Sequence, residues 1–159
     1  MPPEPGGRIT AGFVTGGGAI LSPLGAYQAN PALSGRANFA FVSRYKPGDH
    51  VPSGDTQFSF NAAGFKFKST SYDWLAISAG KAQYKGVGNV NDVSGFGFLL
   101  TAYDGDQPGG DGIDRFRLKI WRLDNVLVYD SNPRATADDL NGADPQAIAS
   151  GSIVVRKTN

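Results

Sequence analysis

The chain has 159 residues, with 15 lysines and arginines against 14 aspartates and glutamates, a formal net charge of +1 and no cysteine. So even a balance leaves no basic excess to neutralise phosphates, which excludes nucleic acid as an expected partner, and the lack of cysteine excludes disulfides, thiolate catalysis and cysteine-bound zinc. With 40% hydrophobic and 18% charged residues the composition is that of a globular domain with a sizeable core, and no run approaches the ~18 apolar residues of a membrane-spanning helix.

Met1-Pro-Pro-Glu-Pro-Gly-Gly7 lacks the charged-then-apolar pattern of a signal peptide and reads as a proline-rich linker or N-terminal arm, leaving residues 8–159 as one domain. Arg8–Val14 is expected as the first strand, resuming at Ala19-Ile-Leu21 after Thr15-Gly-Gly-Gly18. Three glycines in an extended pattern indicate a bulge or a close backbone approach. A phosphate loop would need a Gly-Lys-Ser/Thr ending before a helix, and neither follows. Arg36–Tyr45 alternates with Phe39 and Phe41 on one face. Asp55–Asn61 and Phe65–Thr70 form an expected hairpin about Ala62-Ala-Gly64, with Phe58, Phe60, Phe65 and Phe67 inward and Gln57, Ser59, Lys66 and Lys68 outward.

Trp74–Ser78 and Lys81–Lys85 are predicted as short strands about Ala79-Gly80, with Gly86–Asn91 following. Phe96–Tyr103 and Asp114–Arg122 are strands on either side of an acidic, glycine-rich turn. In the second of them Phe116, Leu118 and Ile120 share one face, and Arg115, Arg117, Lys119 and Trp121 the other. Val126–Asp130 completes a hairpin, residues 131–150 form a long polar segment with at most one helical turn near Leu140, and Gly151–Lys157 is a terminal strand. Roughly ten strands at this spacing, scattered among 22 glycines and 10 prolines, predict an all-β antiparallel sandwich, jelly-roll-like, with a more closed barrel as the alternative.

Val14-Thr-Gly-Gly-Gly18, Ala37-Asn-Phe-Ala-Phe-Val42, Pro52-Ser-Gly54, Ser69-Thr-Ser-Tyr-Asp-Trp-Leu75, Gly86-Val-Gly-Asn-Val-Asn91, Tyr103-Asp-Gly105, Asp114–Trp121 and Gly151-Ser-Ile-Val-Val155 follow one another in order. As a set they resemble the post-choice-of-anchor type of module found near the C-terminus of large secreted bacterial proteins. The resemblance covers residues from about Arg8 to Lys157. It implies a secreted or cell-surface all-β accessory module, with other modules of its parent protein, or an extracellular glycan or protein, as partners. It implies no reaction and no catalytic residues.

The chemistry-bearing residues are few. The single histidine, His50, sits beside Asp49 in a turn, and no nucleophile elbow accompanies it, so a surface-turn role is the expectation. Paired carboxylates could serve glycoside hydrolysis, but the acids here adjoin glycines in turns, where aspartate caps its own backbone. Asp104, Asp106, Asp111 and Asp114 crowd four carboxylates into one turn, a candidate calcium site of irregular form. Pro108 and Arg115 at the fifth and twelfth positions exclude an EF-hand. Solvated turn charges or pairing with Arg115, Arg117 or Arg122 are the alternatives. Trp121, with Tyr103, Arg115 and Arg117, is a candidate ligand platform for a carbohydrate if the ring is exposed; a loop or a second module covering it is the competing expectation.

Overall fold

The computed structural model describes residues 12–45, 51–78, 80–107, 110–140 and 142–156. The expected linker over residues 1–7, the start of the first expected strand, and Asp49 and His50 lie outside them. The elements in chain order are β1 (Phe13–Ser22), β2 (Gly35–Arg44), β3 (Ser53–Phe60), a single 3-10 turn (Asn61–Ala63), β4 (Phe65–Ser78), β5 (Lys81–Val90), β6 (Val93–Tyr103), β7 (Arg115–Arg122), β8 (Leu127–Asp130), β9 (Gln146–Ala147) and β10 (Ser150–Arg156). All strand pairings are antiparallel, and they build one sheet in the order β10-β1-β2-β3-β4-β5-β6-β7-β8, with β9 beside the first residues of β7. The predicted all-β antiparallel fold is therefore what the chain forms, as a sandwich-like sheet that does not close into a barrel. Its strands run as a meander rather than in the interleaved order of a jelly roll.

The sheet is strongly rolled. In a flat sheet β2 and β7 would lie about 24 Å apart, five strand spacings. Instead the rings of Phe39 and Phe116 stack with centroids 4.4 Å apart, and Phe58 reaches Tyr129 of β8 at 5.1 Å. The roll places the inward side chains of β1–β3 against those of β6–β8 in one core. Phe39, Phe41, Phe58, Phe60, Phe65, Phe67, Phe98, Phe116, Leu118 and Ile120 are all buried there, as the alternation of each strand predicts. The two rims are then stitched together. The connection after β1 bridges Tyr27 to Tyr129 of β8, with backbone hydrogen bonds from Gln28 to Val128 (3.0 Å) and from Asp130 to Ala26 (3.0 Å).

Two details differ from the sequence reading. The expected strands at Phe65–Thr70 and Trp74–Ser78 are one long β4, which keeps its pairing with β5 through register shifts between Ser69 and Ser71 and between Tyr72 and Trp74. Each shift inverts the face of the residues after it, so the inward odd positions of Phe65 and Phe67 give way to inward Tyr72 between the two shifts and return to odd positions at Leu75 and Ile77. The glycine triplet carries no bulge: β1 keeps continuous register with both neighbours. It is instead a close approach, because a Cβ on Gly16 would lie 2.8 Å from the Phe41 ring opposite it. Gly97 does the same for Trp121, whose Nε1 would meet the added atom at 2.6 Å. Large rings lying over cross-strand glycines account for part of the high glycine content.

One polar network sits inside the core. Thr56 Oγ1 contacts the hydroxyls of Tyr72 (2.9 Å) and Tyr84 (2.7 Å), and Ser69 Oγ contacts the Tyr72 hydroxyl (2.9 Å) and accepts the Thr56 N–H (3.0 Å). Tyr129 pairs separately with Ser22 Oγ at 2.7 Å. Burial pushes the ionisation of Tyr72, Tyr84 and Tyr129 upward, strongly for Tyr84 and Tyr129, since a phenolate would be stranded among rings. Each group thus holds its proton more tightly folded than unfolded. The associated stability is complete below about pH 10, the ordinary tyrosine value, and declines as pH rises above it. In an alkaline titration, phenolate absorbance from these three should appear together with loss of the β-sheet circular dichroism. Their ionisation while the sheet is still intact would show the network to be open to water.

Candidate functional site

The turn between β6 and β7 holds its carboxylates by geometry as well as sequence. Its backbone folds back on itself, with Gly112 N–H donating to Gly105 C=O at 2.9 Å and Gly110 N–H to Gln107 C=O at 2.8 Å. The fold-back needs a glycine at 105, since a Cβ there would lie 2.3 Å from the Ile113 nitrogen. Asp104 is buried, 2% exposed. Its Oδ1 accepts the Asp106 N–H (3.0 Å), and its Oδ2 accepts Gln107 Nε2 (3.1 Å) and the Val155 N–H (3.0 Å). Asp114 Oδ1 accepts the Gly105 N–H (2.9 Å), and Oδ2 accepts the Ile153 N–H (2.7 Å). Gln107 Nε2 also donates to the Val155 carbonyl at 2.9 Å.

Ile153 and Val155 belong to β10, whose strand partner is β1. On its other side the strand meets side chains instead of a further strand, and Asp104, Asp114 and Gln107 satisfy the ladder groups left over there. The sequence reading had no means of finding this role, because the N–H donors lie 39 and 51 residues from their acceptors.

The four expected metal ligands divide. Asp104, Asp106 and Asp114 each offer a carboxylate oxygen within 4.8 Å of the others. Asp111 turns elsewhere: its Oδ1 accepts the Ile113 N–H (3.1 Å) and its Oδ2 pairs with Arg115 Nη2 (2.9 Å). The hydrogen bond from Arg115, then that from Ile113, lowers the Asp111 pKa below the usual carboxylate value. Of the arginines expected to neutralise the turn, Arg115 does so. Arg122 pairs with Asp124 and Arg117 with Asp130, both beyond the turn.

Trp121 lies on the outer face of β7, as the alternation requires, and it is covered. Only 5% of the residue is exposed, and it packs with Trp74, Ala76, Leu99 and Leu140 in a second small cluster outside the sheet. The exposed platform is thereby corrected. The cover is the polar segment over residues 131–140 and 142–145, which crosses the outer face of β4–β7 as a strap and forms no helix among the described residues. Arg117 is the anchor of that strap, and so not a ligand contact. Buried at 3% exposure, it donates Nε and Nη2 to the two oxygens of Asp130 (3.0 and 2.8 Å), Nη1 to the carbonyls of Ala137 (2.9 Å) and Ala143 (2.8 Å), and Nη2 to Asp138 Oδ1 (3.1 Å). Burial alone would disfavour its charge, but the hydrogen bonds and charge of Asp130, helped by Asp138, hold its pKa above the ordinary arginine value. Lys119 Nζ and Gln83 Nε2 add bonds to Asp138, at Oδ2 (2.7 Å) and at its carbonyl (2.5 Å).

Tyr103 and Arg115 are the part of the expected ligand set that stays half-exposed. They face each other across β6 and β7, and with Lys81, Asp111, Asp144 and Pro145 they line an open depression of about 350 Å³. Among the described residues no helix is long and apolar enough to cross a membrane. Compared with protein-family models, with curated proteins and with solved structures, the chain matches none of them.

Proposed function

We propose that this domain is a non-catalytic structural and interaction module of a secreted or cell-surface bacterial protein, partnered by other modules of that protein or by an extracellular glycan or protein. One observation carries the reading: among the described residues, the buried groups that could perform chemistry are spent on architecture. Asp104 and Asp114 hold backbone N–H groups of β10, Arg117 and Asp130 hold the strap, and the core hydroxyls hold one another. A general acid or base must be free to exchange a proton with substrate, and a carboxylate committed to buried N–H donors is poorly placed for that. The test is to incubate the domain with ester, glycoside and peptide substrates. Turnover lost in Asp104→Asn would overturn the reading.

Calcium is the ligand the acidic turn would take. Asp104, Asp106 and Asp114 converge on one point, Asp104 Oδ1 and both Asp114 oxygens keep a lone pair beside the single hydrogen bond each accepts, and calcium accepts six to eight oxygens in irregular geometry. An ion held only by the folded chain raises stability by mass action, about 2.7 kcal/mol at a hundredfold excess over Kd. Millimolar calcium should raise the melting temperature relative to chelator, and magnesium should do less because it surrenders its water reluctantly. Asp106→Asn is the informative variant, since Asp106 is exposed and its removal leaves the β10 contacts in place. It should abolish the calcium increment and leave the chelator melting curve unchanged. Superimposable curves in calcium and chelator for the unaltered domain would assign the turn to architecture alone.

A further inference from the structure

The outer surface of the rolled sheet has two unlike halves. Over β4–β7 the strap covers it, and the polar side chains Gln83, Lys85, Arg117 and Lys119 all have partners. Over β2–β5 none of the described residues forms a covering segment, and an open groove of about 510 Å³ runs across the strands. That volume is within the range of small-ligand sites. The floor contains small residues, Ala40 and Ser59, and the taller side chains are Asn38, Gln57, Lys66, Lys68 and Asn89. The β5–β6 turn, Asn91-Asp92, closes one end. Both of its residues are left-handed (φ 49° and 68°), and it is tied to β4 because Asn91 Oδ1 accepts the Lys66 N–H at 2.9 Å.

The strand register sets the pattern of this floor. Ala40, Gln57, Lys68 and Asn89 form one row across four strands, and Asn38, Ser59 and Lys66 form the next. Side chains along a row are about 4.8 Å apart, close to the length of one sugar ring in an extended polymer. Asn38, Ser59, Lys66, Lys68 and Asn89 have no side-chain hydrogen bond or ion pair among the described residues. The rows therefore present unsatisfied amides and a hydroxyl, which both donate and accept, with two unpaired ammonium groups. Phe39, Phe58 and Phe67 border the groove without offering it a ring face, because they are buried and their rings pack in the core. Stacking on an aromatic platform is absent, so recognition here would work by hydrogen bonding and charge.

We propose that this groove binds an acidic oligosaccharide, one whose sugars carry carboxylates. Ring hydroxyls suit the Asn, Gln and Ser groups, and the carboxylates suit Lys66 and Lys68. An acidic peptide would supply the charge but few hydroxyls for the amide rows, and an extended peptide pairs with a sheet edge rather than a face. The inference names a ligand for the interaction module proposed above and rests on that reading, but not on the acidic turn or on calcium.

The experiment is calorimetric titration of the full chain with hexamers of galacturonate and of mannuronate, beside neutral cellohexaose and hexaglutamate. At least one uronate hexamer should bind about tenfold more tightly than either comparator, and less tightly as salt rises. Lys66→Gln with Lys68→Gln should weaken that binding about tenfold, and Asn38→Ala with Asn89→Ala should weaken it severalfold, with the melting curves of both unchanged. No binding of either uronate hexamer overturns the proposal, as does equal binding of cellohexaose or hexaglutamate, or wild-type affinity in the lysine double variant. Binding accompanied by shortening of the hexamer would instead overturn the non-catalytic reading and leave the groove assignment standing.

Discussion

Replacing Arg117 with alanine should destabilise the domain by about 3–5 kcal/mol, the usual cost of breaking a buried ion pair from one side. For a chain of this size that is a fall of about 10 °C or more in melting temperature. The arginine is 3% exposed and Asp130 is 4% exposed, so the substitution leaves a carboxylate with no counter-charge in a poorly solvated place. It also removes the donors to the Ala137 and Ala143 carbonyls, which lie on either side of Leu140. Leu140 rests on Trp74 and Trp121, the only two tryptophans in the chain. Tryptophan emission should therefore shift to the red in Arg117→Ala even under conditions where the sheet is intact. Lys119→Gln is the control: its pair with Asp138 is a quarter exposed on both sides, and its loss should cost no more than about 1 kcal/mol. An Arg117→Ala protein that melts like Lys119→Gln and keeps its emission maximum would show that the strap is held by something else.

The second large effect is expected at Phe116. Its ring stacks on Phe39 at 4.4 Å and on Phe58 at 6.1 Å, and meets Phe41 at 5.9 Å, so it lies where the two sides of the rolled sheet touch. Phe116→Ala should cost about 3–5 kcal/mol, because the rings around it belong to strands that cannot collapse independently into the void. Phe116→Leu, which restores much of the volume, should recover most of that loss. Urea unfolding measures both, as a lowered midpoint with an unchanged slope. A cost near 1 kcal/mol for the alanine variant would mean that the two sides of the sheet do not pack through this ring.

Where each residue points was legible in the sequence, and what lies opposite it was not. Alternation in β2, β3, β4 and β7 assigned Phe39, Phe58, Phe67 and Phe116 to the inside because a strand has a period of two, and that period is local. The same period put Trp121 outside the sheet. It is silent on cover, and the cover comes from a segment without periodicity, since most of what residues 131–145 give to Arg117 and Gln83 is backbone carbonyl. Any residue type supplies a carbonyl, so such a strap leaves little trace in composition. Leu140, the one large apolar side chain in a polar stretch, was the clearest signal of it.

The acidic turn was legible as a cluster and not as a device. Charge density located Asp104, Asp106, Asp111 and Asp114, but the division of labour among them depends on β10 arriving alongside. Nothing in the turn itself distinguishes Asp114, which holds the Ile153 N–H, from Asp111, which holds Arg115. Strand order was hidden for a similar reason. Alternation names a face and never a neighbour, so the meander could not be told from an interleaved order until the register was seen.

The placement of β10 sets the order in which the domain can be made. Along the main path of the sheet every other neighbouring pair joins strands consecutive in the chain, so each can zip as a hairpin soon after its second strand leaves the ribosome. The seam between β1 and β10 joins residues 13–19 to residues 150–156, and it cannot form until the last strand has been synthesised. Until then β1, thin with glycine, has one bare edge open to strands of other nascent chains. Asp104 and Asp114 wait over that interval without the N–H groups they are shaped to receive. The carboxylate pair thus acts as the latch of the fold, closing on its final strand.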